Sequence, residues 1–132
     1  MIERIPPHNE EAERSVLGAV MLNKDVLSEV LEEVTADDFY NESHKEIFRA
    51  IWELYKDNTA VDMLTVCEEL KKRKSLDMAG GRAYIATLTS EVPSTANAVE
   101  YAKIVAEKAT LRQMIKTSED ITEKGYDAKM AA

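Results

Sequence analysis

Few side chains in this sequence are of the kinds that make or break bonds, and their spacing limits what they can do. The histidines are His8 and His44, and Cys67 is the single cysteine. Neither histidine stands in an H-E-x-x-H pattern or at Cys/His zinc spacing, so no metal ligand set is read. His44, close to a helix start, reads as a surface or packing residue. Cys67 lies on an apolar helical stripe with no local basic partner to hold a thiolate, which makes it a small buried hydrophobe rather than a nucleophile. The many glutamates, including Glu32-Glu33 and Glu68-Glu69, read as solvated faces. Acid–base work needs converging carboxylates, and adjacent residues on one helix diverge. Gly80-Gly81-Arg82-Ala83 does not approximate the G-x-x-x-x-G-K-[ST] loop that cradles phosphates. No residue is assigned a catalytic role. Lys71-Lys72-Arg73-Lys74 is the sole basic run. Its plainer reading is a set of cations at a helix C-terminus, and its alternative is a nucleic-acid contact.

These residues sit in a chain of 132 residues, one domain by length and large enough to bury a core. Hydrophobic residues make up 45% and charged residues 32%, a globular balance, and four Gly and three Pro suit helices joined by short loops. The net charge of -8 argues against tight duplex binding through phosphates and favours protein partners. A lone cysteine excludes an internal disulfide and fits a reducing cytoplasm. No apolar segment after a basic start suggests a secretory signal, and no apolar run is long enough to span a bilayer.

The periodicity is helical throughout, so the fold class is all-α. Pro6-Pro7 force an extended entry, Asn9 can cap a helix, and Glu10 and Glu11 sit at its positive end. Ala12, Val16, Ala19 and Val20 form its apolar stripe, widened by Leu17 and Met21. Gly18 inside it costs about 1 kcal/mol relative to Ala, which points to a close helix contact. Asn23 caps a second stripe of Val26, Leu27, Val30, Leu31 and Val34. After a break at Asp37 to Tyr40, Ser43 with Glu46 matches a capping box for a third helix. Its inner face is Ile47, Phe48, Ile51, Leu54 and Tyr55, with Trp52 on the margin and Asp57-Asn58 at its end. Asp62 caps a fourth helix with Met63, Val66, Cys67 and Leu70 inward. Gly80-Gly81 opens a short fifth with Tyr84, Ile85 and Leu88.

The head so defined spans about residues 1–93. A long helix follows at about 95–125, uninterrupted from Asn97 to Lys124, with Gly125 as a natural C′ residue. Some 28 residues at ~1.5 Å each make a rod of roughly 40 Å. Ala98, Tyr101, Ala102, Ile104 and Val105 can pack on the head. Leu111, Met114, Ile115, Ser118 and Ile121 form a second stripe that five short helices cannot reach, so it is expected to seek a partner. Ala128 to Ala132 begin another helical pattern, as though a helical hairpin were cut.

The start, Pro-Pro-His then Glu-Ala-Glu then Ser-Val-Leu-Gly-Ala, closely resembles the N-terminal domain of bacterial replicative hexameric DNA helicases, the DnaB family. The resemblance runs on through Asp38-Phe39-Tyr40, His44, Ile47-Phe48, Val61-Asp62, Leu64-Thr65-Val66, Gly80-Gly81, Tyr84, Leu88 and Pro93. It continues through Ala96-Asn97, Tyr101-Ala102, Ile104-Val105, Leu111-Arg112, Ile115 and Gly125-Tyr126. It implies a non-catalytic collar module that assembles with sister subunits, docks the helicase-binding domain of primase and, in some bacteria, takes part in loading. ATP and Mg belong to the family's motor, which follows a linker downstream. No cofactor is implied for this stretch, and weak or no direct DNA binding. The implied setting is the bacterial cytoplasm at the replication fork. The resemblance also implies that Tyr84, Ile115 and Ile121 take part in the primase-facing and hairpin surfaces. The exposed stripe singles out Leu111, Met114, Ile115 and Ile121 independently, whereas for Tyr84 binding and core packing stand level.

Overall fold

The computed structural model describes residues 4–131, with side chains to residue 128. It holds α1 (Glu10–Leu22), α2 (Lys24–Glu33), a 3-10 turn (Ala36–Asp38), α3 (Glu42–Lys56), α4 (Met63–Lys72), α5 (Gly81–Ser90) and α6 (Ala98–Ala131). No strand occurs among the described residues.

Side chains place the helix boundaries. The Asn9 side chain accepts from the Ala12 N–H at 2.9 Å, and three glutamates crowd the first turn of α1, where the helix dipole favours anions. Asn23 works on both sides of a tight junction. Its N–H closes α1 on the Ala19 carbonyl, and its side-chain oxygen accepts from the Asp25 N–H to start α2. Asp62 and Thr65 exchange hydrogen bonds at the head of α4, both 2.9 Å. Before α5, Gly80 has φ +100 and Gly81 φ +83, left-handed values that an L side chain rarely adopts. The ring of Tyr84 lies against Gly80, where a Cβ would collide with it.

Helix α1 is the central member, packing on α2, α3, α5 and α6. Val16, Leu17 and Val20 are fully buried in it. Gly18 makes the α1–α5 crossing possible, because a Cβ there would run into the Leu88 carbonyl and the Val92 side chain. Phe39 and Phe48 meet with ring centroids 5.0 Å apart, and Ile47, Ile51, Leu70 and Ile85 complete the core. Ala98, Ala102 and Val105 dock the first half of α6.

Four expectations are corrected. Helix α3 starts from Asn41, whose side chain accepts from the Ser43 N–H, while the Ser43 hydroxyl donates to the Met78 carbonyl; Ser43 with Glu46 is not its cap. Tyr55 faces outward and stacks on Trp52 instead of lining the core. Glu13 is not on a solvated face but buried. Helix α6 passes through Gly125 rather than ending there at about residue 125, and spans 34 residues, about 51 Å. A glycine inside a helix costs about 1 kcal/mol but does not by itself end it, and no proline follows Gly125 in this sequence to enforce a stop.

Candidate interaction surface

Burial on α6 changes at one residue. Up to Arg112 the helix is covered in part by α1, α2 and the 3-10 turn; from Gln113 to Ala128 every residue is exposed. Met114 (59% exposed), Ile115 (46%) and Ile121 (65%) lie beyond that boundary, and Leu111 (36%) lies just before it. Leu111, Met114, Ile115 and Ile121 recur at spacings of three, four, seven and ten, which keeps them on one side of a helix. The polar sides are stabilised locally, by Lys116 to Asp120 at 3.2 Å and by the Gln113 amide donating to Thr117 at 3.1 Å. The chain thus holds an apolar stripe away from its own core on a rigid helix, the form of a helix-face contact. Tyr126, 72% exposed, adds an aromatic five residues beyond Ile121 that the expected contact residues do not include.

Tyr84 occupies a different place. Its helix, α5, packs chiefly on α1 and α4, not along the projecting part of α6. The hydroxyl is turned inward, 2.5 Å from Nε2 of the buried His44, and the rings stack at 5.9 Å. His44 Nδ1 is 2.8 Å from Oε1 of Glu13. Glu13 also accepts from the N–H groups of Tyr40 (2.7 Å) and Asn41 (3.3 Å). Burial pushes the Glu13 carboxyl up, but the hydrogen bonds from His44, Tyr40 and Asn41 outweigh it and leave it below the ordinary carboxylate range. An ionised Glu13 can only accept, so Nδ1 carries the proton. In the neutral ring Nε2 is then bare and takes the Tyr84 O–H. Burial, and then the nearby Glu10 carboxylate, raise Tyr84, keeping that proton in place. Glu10, Glu13 and His44 could together hold a cation, but His44 and Glu13 are satisfied within the chain, so the cluster is built as a strut.

The sequence reading missed this relay, yet a signal was present. Glu13 lies three residues before Val16 and four before Leu17. His44 lies three before Ile47, four before Phe48 and seven before Ile51. Both fall on the inner faces of their helices. Cys67 is buried, and burial raises its thiol, as expected of a structural cysteine. Lys71 to Lys74 are exposed at the end of α4. Arg73 of that run borders a cleft of about 410 Å³ between α2, α3 and the 3-10 turn, floored by Leu31, Val34 and Phe48 and flanked by Trp52.

Residues 5–107 match the family model described as the DnaB-like helicase N terminal domain. The chain belongs to that family. It is 46% identical over 127 residues to the replicative DNA helicase DnaB of Leifsonia xyli subsp. xyli, covering 96% of this chain and 28% of that protein. It is 43% identical over 124 residues to DnaB of Treponema pallidum, covering 94% and 28%. The chain therefore spans little more than a quarter of these relatives. Its fold superposes on the crystal structure of the N-terminal domain of DnaB helicase from Mycobacterium tuberculosis with a TM-score of 0.93, at 41% identity, over 97% of this chain and 91% of that one. A structure described as that of a DnaB-like replicative helicase and its interactions with primase matches at a TM-score of 0.78 and 25% identity, over 88% of this chain and 27% of that one. The all-α head with a long terminal helix is the family's fold. Among the described residues, no helix is long and apolar enough to cross a membrane.

Proposed function

We propose that this chain is the non-catalytic collar domain of a replicative DNA helicase, acting in the bacterial cytoplasm at the replication fork. It associates with sister subunits and docks the helicase-binding domain of primase. The observation that carries this reading is the apolar stripe of Leu111, Met114, Ile115 and Ile121, held on the part of α6 that the head leaves uncovered. Shielding such a stripe yields roughly 25 cal/mol per Å² of apolar surface, with the charged residues around it governing partner choice. The likeness to a helicase described together with its interactions with primase supports the choice of partner. Tyr84 enters as a ring seated over Gly80 with its hydroxyl held from inside, so it presents an edge rather than a hydrogen-bonding tip. ATP and Mg serve the motor of the full helicase in this reading, and a helicase loader is a further partner.

A calorimetric titration with the helicase-binding domain of primase tests the assignment. The native sequence is expected to bind, and Ile115→Asp or Ile121→Asp to weaken binding by at least about tenfold, roughly 1.4 kcal/mol. Equal affinity in both variants overturns the site.

A further inference from the structure

The rod leaves the head at a fastening made of three distant stretches of chain. Among the residues of α6 whose side chains are described, Arg112 is the last that is partly buried. One guanidinium nitrogen donates to the Pro7 carbonyl at 2.8 Å, and the other to the Asp38 carbonyl at 2.6 Å. The same group stands 5.5 Å from the centre of the Tyr40 ring. Tyr40 in turn stacks on His8, centroids 4.1 Å apart and 17° from parallel. His8 Nδ1 lies 2.8 Å from the Pro6 carbonyl. Pro6 and Pro7 have no backbone N–H and a fixed φ, so this arm is stiff and offers carbonyls only. A guanidinium supplies two donors in one plane together with a face for an aromatic ring, a combination that a lysine lacks.

We propose that Arg112 is a positioning residue that sets the direction in which the projecting half of α6 leaves the head, and that the Pro6–His8 arm is the strap that closes over it. The rod is otherwise attached through its first half, where Ala98, Ala102 and Val105 are buried and Tyr101, Ile104 and Ala106 pack beside them against α1 and α2, and through the 3-10 turn. Without the fastening, the exit end of α6 loses the polar anchor that fixes its direction beyond those apolar contacts. The consequence for docking rests on the function proposed above, because the direction of the rod decides where the Leu111–Ile121 stripe is offered. The fastening itself does not depend on that reading. Displacing the arm would release the rod with no change in the stripe.

Spin-label distances test the fastening on the free 132-residue chain, separately from any partner. In a Cys67→Ala background, Glu68→Cys on the head and Glu119→Cys on the rod carry the labels, diluted with unlabelled protein. The native Arg112 is expected to give one narrow distance distribution. Arg112→Ala and His8→Ala are each expected to lose it, and the double variant to be no broader than Arg112→Ala, since both open the same strap. Arg112→Lys, which keeps the charge but not the fork, is expected to fall between. A distribution in Arg112→Ala identical to the native one overturns the proposal. Should Arg112→Ala unfold the head, Arg112→Lys decides, with an unchanged distribution counting against the proposal and a broadened one for it. Loss of primase binding without a change in distances would leave the fastening overturned as the cause and the docking surface standing.

Discussion

Glu13 shows how a single buried charge is made tolerable. Three donors surround it, and truncating it would leave the Tyr40 and Asn41 N–H groups and His44 without their partner. Glu13→Ala is therefore expected to cost about 1–3 kcal/mol in urea unfolding for the groups left unpaired. The pH dependence has a definite sign. The carboxyl lies lower in the folded chain than in the unfolded one, so its stabilisation is complete above the unfolded value of about 4.3 and is lost as pH falls through the folded value. Glu13→Gln should flatten that acid limb of the stability curve, and an unchanged limb would mean that Glu13 does not titrate as described. Gly18→Ala is the second residue-scale prediction. Helix propensity returns about 1 kcal/mol, but the added methyl meets the backbone carbonyl of Leu88, which cannot swing away. Overpacking of this kind costs about 1–3 kcal/mol, and a lowered urea midpoint is expected. The sequence made Gly18 legible, since a glycine amid Val16, Leu17, Ala19 and Val20 has no local reason to be there. It left the His44–Glu13 partnership hidden, because two inward polar residues 31 positions apart do not announce which helices will bring them together.

Helices were the most legible elements, since five apolar stripes and the caps at Asn9, Asn23 and Asp62 are local properties. Helix ends written in shared signals were less so. Ser43 and Asn41 can both cap α3, and tertiary contact with the Met78 carbonyl engages the Ser43 hydroxyl while Asn41 does the capping. Gly125 carries the identity of a helix stop, yet it stands within α6 with open space around its missing Cβ. Gly125→Ala is accordingly expected to stabilise the rod by roughly 1 kcal/mol and to slow amide exchange over residues 121–128 without touching the head. Faster exchange there would indicate that the helix does not run through this point. The projecting stripe was legible in the sequence because it recurs at helical spacing past the length that five short helices can cover. Exposed substitutions away from special features change stability by no more than about 0.5 kcal/mol, so Ile115→Asp and Ile121→Asp are expected to melt close to the native protein.

At the scale of the whole molecule, a tightly packed head built around α1 carries a rod about 51 Å long that it does not cover. Its net charge of -8 opposes polyanions, and its four-residue basic run sits where the dipole of α4 already favours cations. Single-stranded DNA is accordingly expected to bind weakly or not at all at low salt, and tight binding that falls steeply with added salt would favour Lys71 to Lys74 as a nucleic-acid contact instead. Under the proposed function, the rod is what the molecule offers to a protein partner. Methyl resonances follow it most directly during titration with the helicase-binding domain of primase. Shifts at Leu111, Met114, Ile115 and Ile121, with Leu64 on the far helix α4 unmoved, are the result the collar assignment predicts. Saturable binding that leaves those four methyls unmoved would contradict it.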